Sequence, residues 1–283
     1  MKIGFNMLLW TPFVTEEHFG LFETLKQTGY DGVEIPLFNG DVKHYEQVAQ
    51  AIKDHGLACT AVTVIPDEAH NPISPEAAHR QGAREYLSWA VDCSAALGAQ
   101  VLCGPFYQPL GVFSGQGPTE EEKERAAPIH REMAELAKQT GLVLAAESLN
   151  RFECYFLNTL HDAAAYAKRV GHPNFGVTHD TFHANIEEKD PAGCIAGNID
   201  AIRHVHISEN DRGTPGRGHV QWPAIFKALR GAGYDGWMTI EAFSRALPAL
   251  AATTCVWRDL SGSLEEVYTE GYKLIKGQWE AAA

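Results

Sequence analysis

Long apolar runs are missing from this 283-residue chain: no stretch of about eighteen or more uncharged apolar residues occurs, which argues against a membrane-spanning helix. Met1-Lys-Ile-Gly-Phe-Asn6 leads straight into a strand pattern with no signal-like apolar segment, so the expectation is a soluble, cytoplasmic protein with no membrane partner. Cysteine is sparse and unpaired in sequence. The six residues Cys59, Cys93, Cys103, Cys154, Cys194 and Cys255 form no CxxC pair, and a chain this long needs no disulfide framework. They read as reduced, mostly buried, small hydrophobes. Basic residues are outnumbered, with 23 Lys and Arg against 36 Asp and Glu and a formal charge of -13. That charge repels polyphosphate, and no Lys/Arg stripe with interleaved aromatics compensates, so nucleic acid is excluded as a partner. Linkers, low-complexity tracts and charge blocks are also absent, which leaves no place for a second domain.

What is present is an alternation. Eight short, largely apolar strand candidates run over 2–8, 32–37, 58–65, 100–106, 142–148, 174–180, 202–208 and 237–243. Near-continuous apolar strands are expected where both faces of a parallel sheet are covered. Between them lie amphipathic segments such as 16–29, 42–55, 75–97 and 119–140, several closed by a glycine suited to a left-handed C-cap: Gly29, Gly56, Gly98 and Gly141. A phrase recurs where helices hand over to strands, Gly29-Tyr-Asp-Gly-Val-Glu34 and Gly233-Tyr-Asp-Gly-Trp-Met238. The pattern predicts an α/β chain folded as a (β/α)8 TIM barrel, a fold of about 250 residues. It forms one domain over 1–283, with the barrel over about 1–245 and a C-terminal helical extension over 246–283. The extension is longer than one closing helix needs, and covering the barrel mouth, making a dimer contact and lying as a solvated tail helix all stay open.

Glu147, Asp180, His206 and Glu241 close four consecutive strands, roughly thirty residues apart, about one strand-plus-helix unit. A lone strand-end acid is often only a helix cap. Four at successive strand ends instead predict a ring of metal ligands. Three carboxylates and an imidazole suit a hard or borderline divalent ion such as Mn2+, Mg2+ or Co2+ acting as Lewis acid. By strand alternation Ala145, Thr178, His204 and Thr239 share the inward direction, with His204 reading as a packed core histidine, while His179 points outward and is excluded as a ligand. An α-hydroxyketone chelated at such a site would have an acidified α-proton. Glu147 and Glu241, three strands apart, can reach it from different sides. Removal on one face and return on the other is an epimerisation, and return at the neighbouring carbon is an aldose-ketose isomerisation.

Glu147-Ser-Leu-Asn-Arg-Phe-Glu153, His179-Asp-Thr-Phe-His-Ala-Asn-Ile-Glu-Glu188, His204-Val-His-Ile-Ser-Glu-Asn-Asp-Arg212, Gly216-Arg-Gly218, Gly233-Tyr-Asp-Gly236 and Val256-Trp-Arg-Asp259 carry a resemblance to the ketose 3-epimerases. These are the D-tagatose and D-allulose (psicose) 3-epimerase group of the xylose-isomerase-like superfamily. The match is weaker at Met1–Trp10 and Gly32–Glu34. The resemblance implies a homodimer or homotetramer acting on a free ketohexose or ketopentose, with one Mn2+ or Co2+ per subunit held by Glu147, Asp180, His206 and Glu241. It makes Glu147 and Glu241 the acid/base pair acting at C3 through a cis-enediolate. It places Glu153, His183 and Arg212 on the sugar near O1 and O2, and makes Asn6, Trp10, Glu34 and Tyr107 candidates for the pocket wall around its far end.

The nearest rival is another hydroxycarbonyl isomerase of the superfamily, of hydroxypyruvate isomerase or sugar-phosphate type, the latter because Arg212 and Arg217 flank a glycine-bearing loop after strand seven. Retained Glu153, His183 and Arg212 argue against it, and no glycine-rich anion nest follows strand eight. A multi-metal endonuclease would need histidines at strands two and three, which end in Glu-Ile-Pro-Leu and Val-Ile-Pro. A non-catalytic sugar-binding barrel would need no pair of metal-bound glutamates.

Overall fold

The computed structural model describes residues 1–282; Ala283, the last residue of the expected extension, lies outside them. Eight parallel strands close into a barrel in chain order. They are β1 (Lys2–Asn6), β2 (Gly32–Pro36), β3 (Ala58–Val62), β4 (Val101–Gly104), β5 (Val143–Glu147), β6 (Phe175–Asp180), β7 (Ile202–Ile207) and β8 (Trp237–Ile240). Closure is made by β1 on β8, with Lys2 opposite Trp237 and Phe5 opposite Ile240. The helices are α1 (Phe19–Thr28), α2 (Val42–Asp54), α3 (Ala77–Leu97), α4 (Glu120–Lys138), α5 (Leu160–Val170), α6 (Thr181–Glu187), α7 (Gly193–Ala196), α8 (Trp222–Gly231), α9 (Pro248–Thr253) and α10 (Leu264–Ala281).

Local chemistry sets these boundaries. Thr119 and Thr159 open α4 and α5 with capping boxes, each hydroxyl accepting the N–H three residues on while Glu122 or Asp162 reaches back to the cap N–H. Gly29 ends α1 at a φ of 116°, where its N–H donates to Leu25 O and Lys26 O; a side chain there would be strained. Outward strand residues such as Phe5, Val33, Ile35 and Val205 pack under the helices in the main apolar core. Burying each such side chain contributes about 1.5–3 kcal/mol.

The barrel interior is different. Its lower end is plugged by the Trp237 indole, which donates to Gln100 Oε1 at 3.0 Å. Gly32 makes room for this ring, since a Cβ there would come within 2.5 Å of it. Above the plug, beside the small or apolar Val101, Cys103 and Ala145, many inward positions are polar and fully buried: Asn6, Glu34, Thr60, Thr178, His204, His206 and Thr239. A register shift between Val177 and Thr178 sets Asp180 opposite His206 across β6 and β7.

The chain after β8 divides in two. Helix α10 packs against α1, α8, β1 and β8 and so closes the outer ring, with the Tyr30 hydroxyl donating to Tyr268 O at 2.6 Å. The segment that exceeds a closing helix, residues 244–263, carries α9 and brings Ala249, Leu250, Thr253 and Thr254 over the barrel mouth. Among the described residues no helix is long and apolar enough to cross a membrane.

Candidate active site

At the C-terminal ends of β5 to β8 the structure brings Glu147, Asp180, His206 and Glu241 together, one ligand atom from each lying within 4.8 Å of the others. All four are buried. His206 Nδ1 lies 2.9 Å from Glu147 Oε1 and 3.7 Å from both Asp180 Oδ2 and Glu241 Oε1. Asp180 combines two uses of a strand-end acid. Its Oδ1 accepts the His183 N–H at 2.9 Å, capping α6. Its Oδ2 is buried with no hydrogen-bond partner among the described residues, so one oxygen is left for the cluster.

The charges conflict as they stand. Burial first, then the Glu147 charge, pushes Asp180 up to about 7. Burial, with Glu147 and Asp180 adding, pushes Glu241 up to about 8. Burial alone would depress His206, but the carboxylates of Glu34, Glu147 and Glu241 outweigh it and hold the imidazole well above its ordinary range. Three carboxylates, one imidazole and an orphaned oxygen in a dry interior are a donor set that fits a hard or borderline divalent cation.

Beside this cluster opens a cavity of about 290 Å3, with Glu147, Glu153, His183, Arg212 and Glu241 in its lining. Arg212 sits at the left-handed φ of 64°, uncommon for a residue with a side chain. The conformation is held by its own N–H donating to Glu209 O at 2.9 Å and by the Phe243 N–H donating to its carbonyl at 3.0 Å. Its guanidinium lies between two aromatic rings, 4.1 Å from the Phe182 centroid and 5.0 Å from that of Phe243. Glu153 Oε1 pairs with its Nη1 at 3.3 Å. His183 Nδ1 accepts the Asn150 backbone N–H at 3.0 Å, which in a neutral ring leaves the proton on Nε2. Burial, then the charge of Arg212, keeps His183 neutral, well below its usual range. Two donors therefore face each other, Arg212 Nη2 and His183 Nε2, 3.2 Å apart. Arg212 Nε is also buried without a partner among the described residues.

The structure places the four residues expected at the far-end wall below or behind the cavity lining. Asn6 is wholly buried inside the barrel, where its Nδ2 donates to Glu34 Oε1 at 2.9 Å and to Glu241 Oε1 at 3.1 Å. Tyr107 is also buried away from the cavity; its hydroxyl donates to Glu147 O at 2.7 Å, and its ring packs on Phe156. Trp10 spends its indole on Phe5 and Tyr268, at centroid distances of 4.9 and 6.1 Å, and does not line the cavity. Glu34 lies beneath the ring instead of in a wall. The apolar part of the lining includes Leu8, Pro12, Phe38, Val62, Val64, Pro105 and Leu110, with Leu149, Phe243 and Leu250 from the second half of the chain. His179 faces away and stays neutral, its pKa pushed down to about 4 by burial. His204 is buried in the interior with Nε2 2.8 Å from Glu34 Oε2, an ion-pair distance off the line of a hydrogen bond.

Two residues support the site from behind, Glu209 with no role in the sequence reading and Glu34 expected there as a wall residue. Glu209, fully buried, accepts from the backbone N–H groups of Gly216 and Val220 and from Trp222 Nε1, and so shapes the loop that presents Arg212. Nothing in the pattern of residues marks it. Glu34 had a signal, since a glutamate alternating with Val33 and Ile35 must point inward.

Residues 22–275 match the model of the family described as xylose isomerase-like TIM barrel. The chain is 34% identical to a ketose 3-epimerase of Arthrobacter globiformis over 99% of this chain and 98% of that one. It is 31% identical to a D-psicose 3-epimerase of Ruminiclostridium cellulolyticum over 94% and 92%. The crystal structure of a D-allulose 3-epimerase from Methylomonas sp. in complex with D-allulose superposes with a TM-score of 0.91 at 28% identity, covering 98% of this chain and 97% of that one.

Proposed function

From the premise that the chain belongs to the ketose 3-epimerase family of xylose isomerase-like TIM barrels, we propose that it interconverts free ketohexoses or ketopentoses at C3 with Glu147 and Glu241 as the proton-transfer pair. The observation that carries this reading is that both carboxylates line one sugar-sized cavity while belonging to one cation-fitting cluster. Glu147, Asp180, His206 and Glu241 would hold one Mn2+ or Co2+, with Mg2+ also accommodated by the donor set. When bound, the cation supplies Lewis acidity that stabilises negative charge developing on the sugar oxygens.

The remaining steps belong to this chain's side chains. One glutamate takes the C3 proton from one face, and the other returns a proton to the opposite face; the roles exchange in the reverse direction. Asn6 holds the Glu241 carboxylate by its Oε1. A sugar oxygen entering between Arg212 Nη2 and His183 Nε2 would accept from both and end their donor-to-donor contact. Glu153 keeps the guanidinium in place. The apolar wall keeps water from the reacting carbon and offers a surface for the sugar's C–H groups.

Free sugar rather than sugar phosphate is favoured by where the cations lie. Arg217 is exposed and turned to Glu266 and Glu270 on α10. Among the described residues Arg212 is the one Arg or Lys in the lining, and Glu153 pairs with it. The proposal includes a cytoplasmic homodimer or homotetramer, a state that light scattering checks directly.

Incubating metal-loaded protein with fructose, allulose, tagatose, sorbose and ribulose, then separating the products by chromatography, tests the reading. At least one C3 epimer pair should interconvert. Turnover confined to phosphorylated ketoses, or no epimer from any free ketose, would overturn it.

A further inference from the structure

Beneath the metal-fitting ring lies a second knot of buried groups, Glu34, Cys103, His204 and His206, whose ligand atoms also lie within 4.8 Å of one another. It differs from the ring in that its carboxylate already has donors, although both ring nitrogens of His204 lack a hydrogen-bond partner among the described residues. Glu34 Oε2 faces three neighbours: the Thr60 hydroxyl donates to it at 2.8 Å, the Cys103 thiol donates at 3.3 Å, and His204 Nε2 lies 2.8 Å away. With its donors in place this oxygen has little left for an ion, and the thiol is kept protonated by burial and by the Glu34 charge. The knot is a support, not a second cation site.

The other oxygen, Glu34 Oε1, faces the ring. It is 2.9 Å from His206 Nε2 and accepts from Asn6 Nδ2 at 2.9 Å. That same amide nitrogen donates its second hydrogen to Glu241 Oε1 at 3.1 Å. The amide cannot flip without loss, because Asn6 Oδ1 accepts the Leu8 N–H at 2.9 Å. One carboxylate thus reaches two members of the ring, His206 directly and Glu241 through Asn6.

Resting on the metal-ring reading, we propose that Glu34 is the positioning residue of the site. It keeps the His206 proton on Nε2 so that Nδ1 is presented to the cation, and through Asn6 it fixes the rotamer of Glu241. A carboxylate behind a metal-bound imidazole makes the ring a stronger donor and sets its tautomer, and losing such a partner typically weakens metal binding about 10- to 100-fold. The link through Asn6 to Glu241 adds a second consequence: the same residue governs how a proton-transfer group is aimed, not only how tightly the ion is held.

The test compares wild type, Glu34→Gln and Thr60→Val, each stripped of metal, by Co2+ titration and by the visible absorption of the Co2+ form. Glu34→Gln keeps the shape and removes the charge, whereas Thr60→Val removes a single donor to Oε2. The expected result is Co2+ binding about 10- to 100-fold weaker in Glu34→Gln. Its Co2+ absorption should be altered although its metal-free melting curve matches wild type, and Thr60→Val should show a smaller weakening in the same direction. Co2+ affinity within about twofold of wild type and an unchanged spectrum in Glu34→Gln would overturn the proposal while leaving the ring intact. If Glu34→Gln fails to fold, unchanged affinity and spectrum in Thr60→Val overturn it instead. Absence of Co2+ binding to wild type would remove the ring and the proposal together.

Discussion

From β1 to β4 the strand ends and loops bring Leu8, Pro12, Phe38, Val62, Val64, Pro105 and Leu110 to the cavity, whereas β5 to β8 and their loops bring Glu147, Glu153, His183, Arg212 and Glu241 beside the apolar Leu149, Phe243 and Leu250. The first half of the barrel has polar groups of its own, but it keeps them below the cavity floor: Asn6, Glu34, Thr60 and Cys103 face inward beneath the ring. Both halves therefore supply polar groups, at different depths. The second half places them where a substrate can touch them. The first half places them where they hold the second half's side chains, and gives the substrate an apolar surface. A polar residue near a strand's C-terminal end is accordingly no guide to substrate contact until its direction and depth are known.

The largest effect should come from the groups of the second half to which the proposal assigns proton transfer. Glu147→Gln and Glu241→Gln should each lower kcat by about 10²- to 10⁴-fold at saturating metal, with unchanged circular dichroism. A near-normal rate in either variant would break the division of labour. Next comes Arg212→Met, which keeps an unbranched side chain between Phe182 and Phe243 but removes the donors facing His183. The KM should rise about 10- to 100-fold, the loss appropriate to a charged hydrogen bond; a fall in kcat alone would move Arg212 from binding to chemistry.

The outward face of the same half offers a contrast in pH. His179 in the folded protein takes up no proton until about pH 4, because burial disfavours its charge. The unfolded chain protonates it near 6.5, so stability is lost as pH falls from about 6.5 towards 4. Relative to wild type, His179→Phe should gain about 2 kcal/mol on going from pH 7.5 to pH 5 in urea unfolding. A pH-independent difference would show that the ring is not held neutral. Smallest is the expected effect on the apolar wall. Leu110→Ala should raise KM for a ketohexose by a few-fold, about 1 kcal/mol, and change that for ribulose less, since the shorter sugar leaves more of the wall untouched. Equal effects on both sugars would mean that the wall does not contact the far end.

The alternation of apolar strands and capped helices made the barrel legible, because each buried parallel strand and each glycine stop leaves a local trace. The four candidate ligands were legible because Glu147, Asp180, His206 and Glu241 recur at the ends of successive strand segments, roughly one strand-plus-helix unit apart. The directions of Asn6 and Tyr107 were not legible, because nearness to a strand end does not fix direction. Asn6 turns down into the barrel, and Tyr107, three residues past the end of β4, follows a loop where strand alternation no longer applies. The roles of Glu34 and Glu209 depend on partners far away in sequence, such as His206 and Trp222, and contacts at that separation leave no local pattern.

The central claim, proton exchange at C3 by carboxylates of the second half, is tested most directly by incubating metal-loaded protein with a free ketose substrate in D2O and locating the label by NMR. Deuterium should appear at C3 of the substrate and its epimer, and no labelled epimer should form with Glu147→Gln or Glu241→Gln. Deuterium at C1 alone, or epimer formed without any label at C3, would contradict the account.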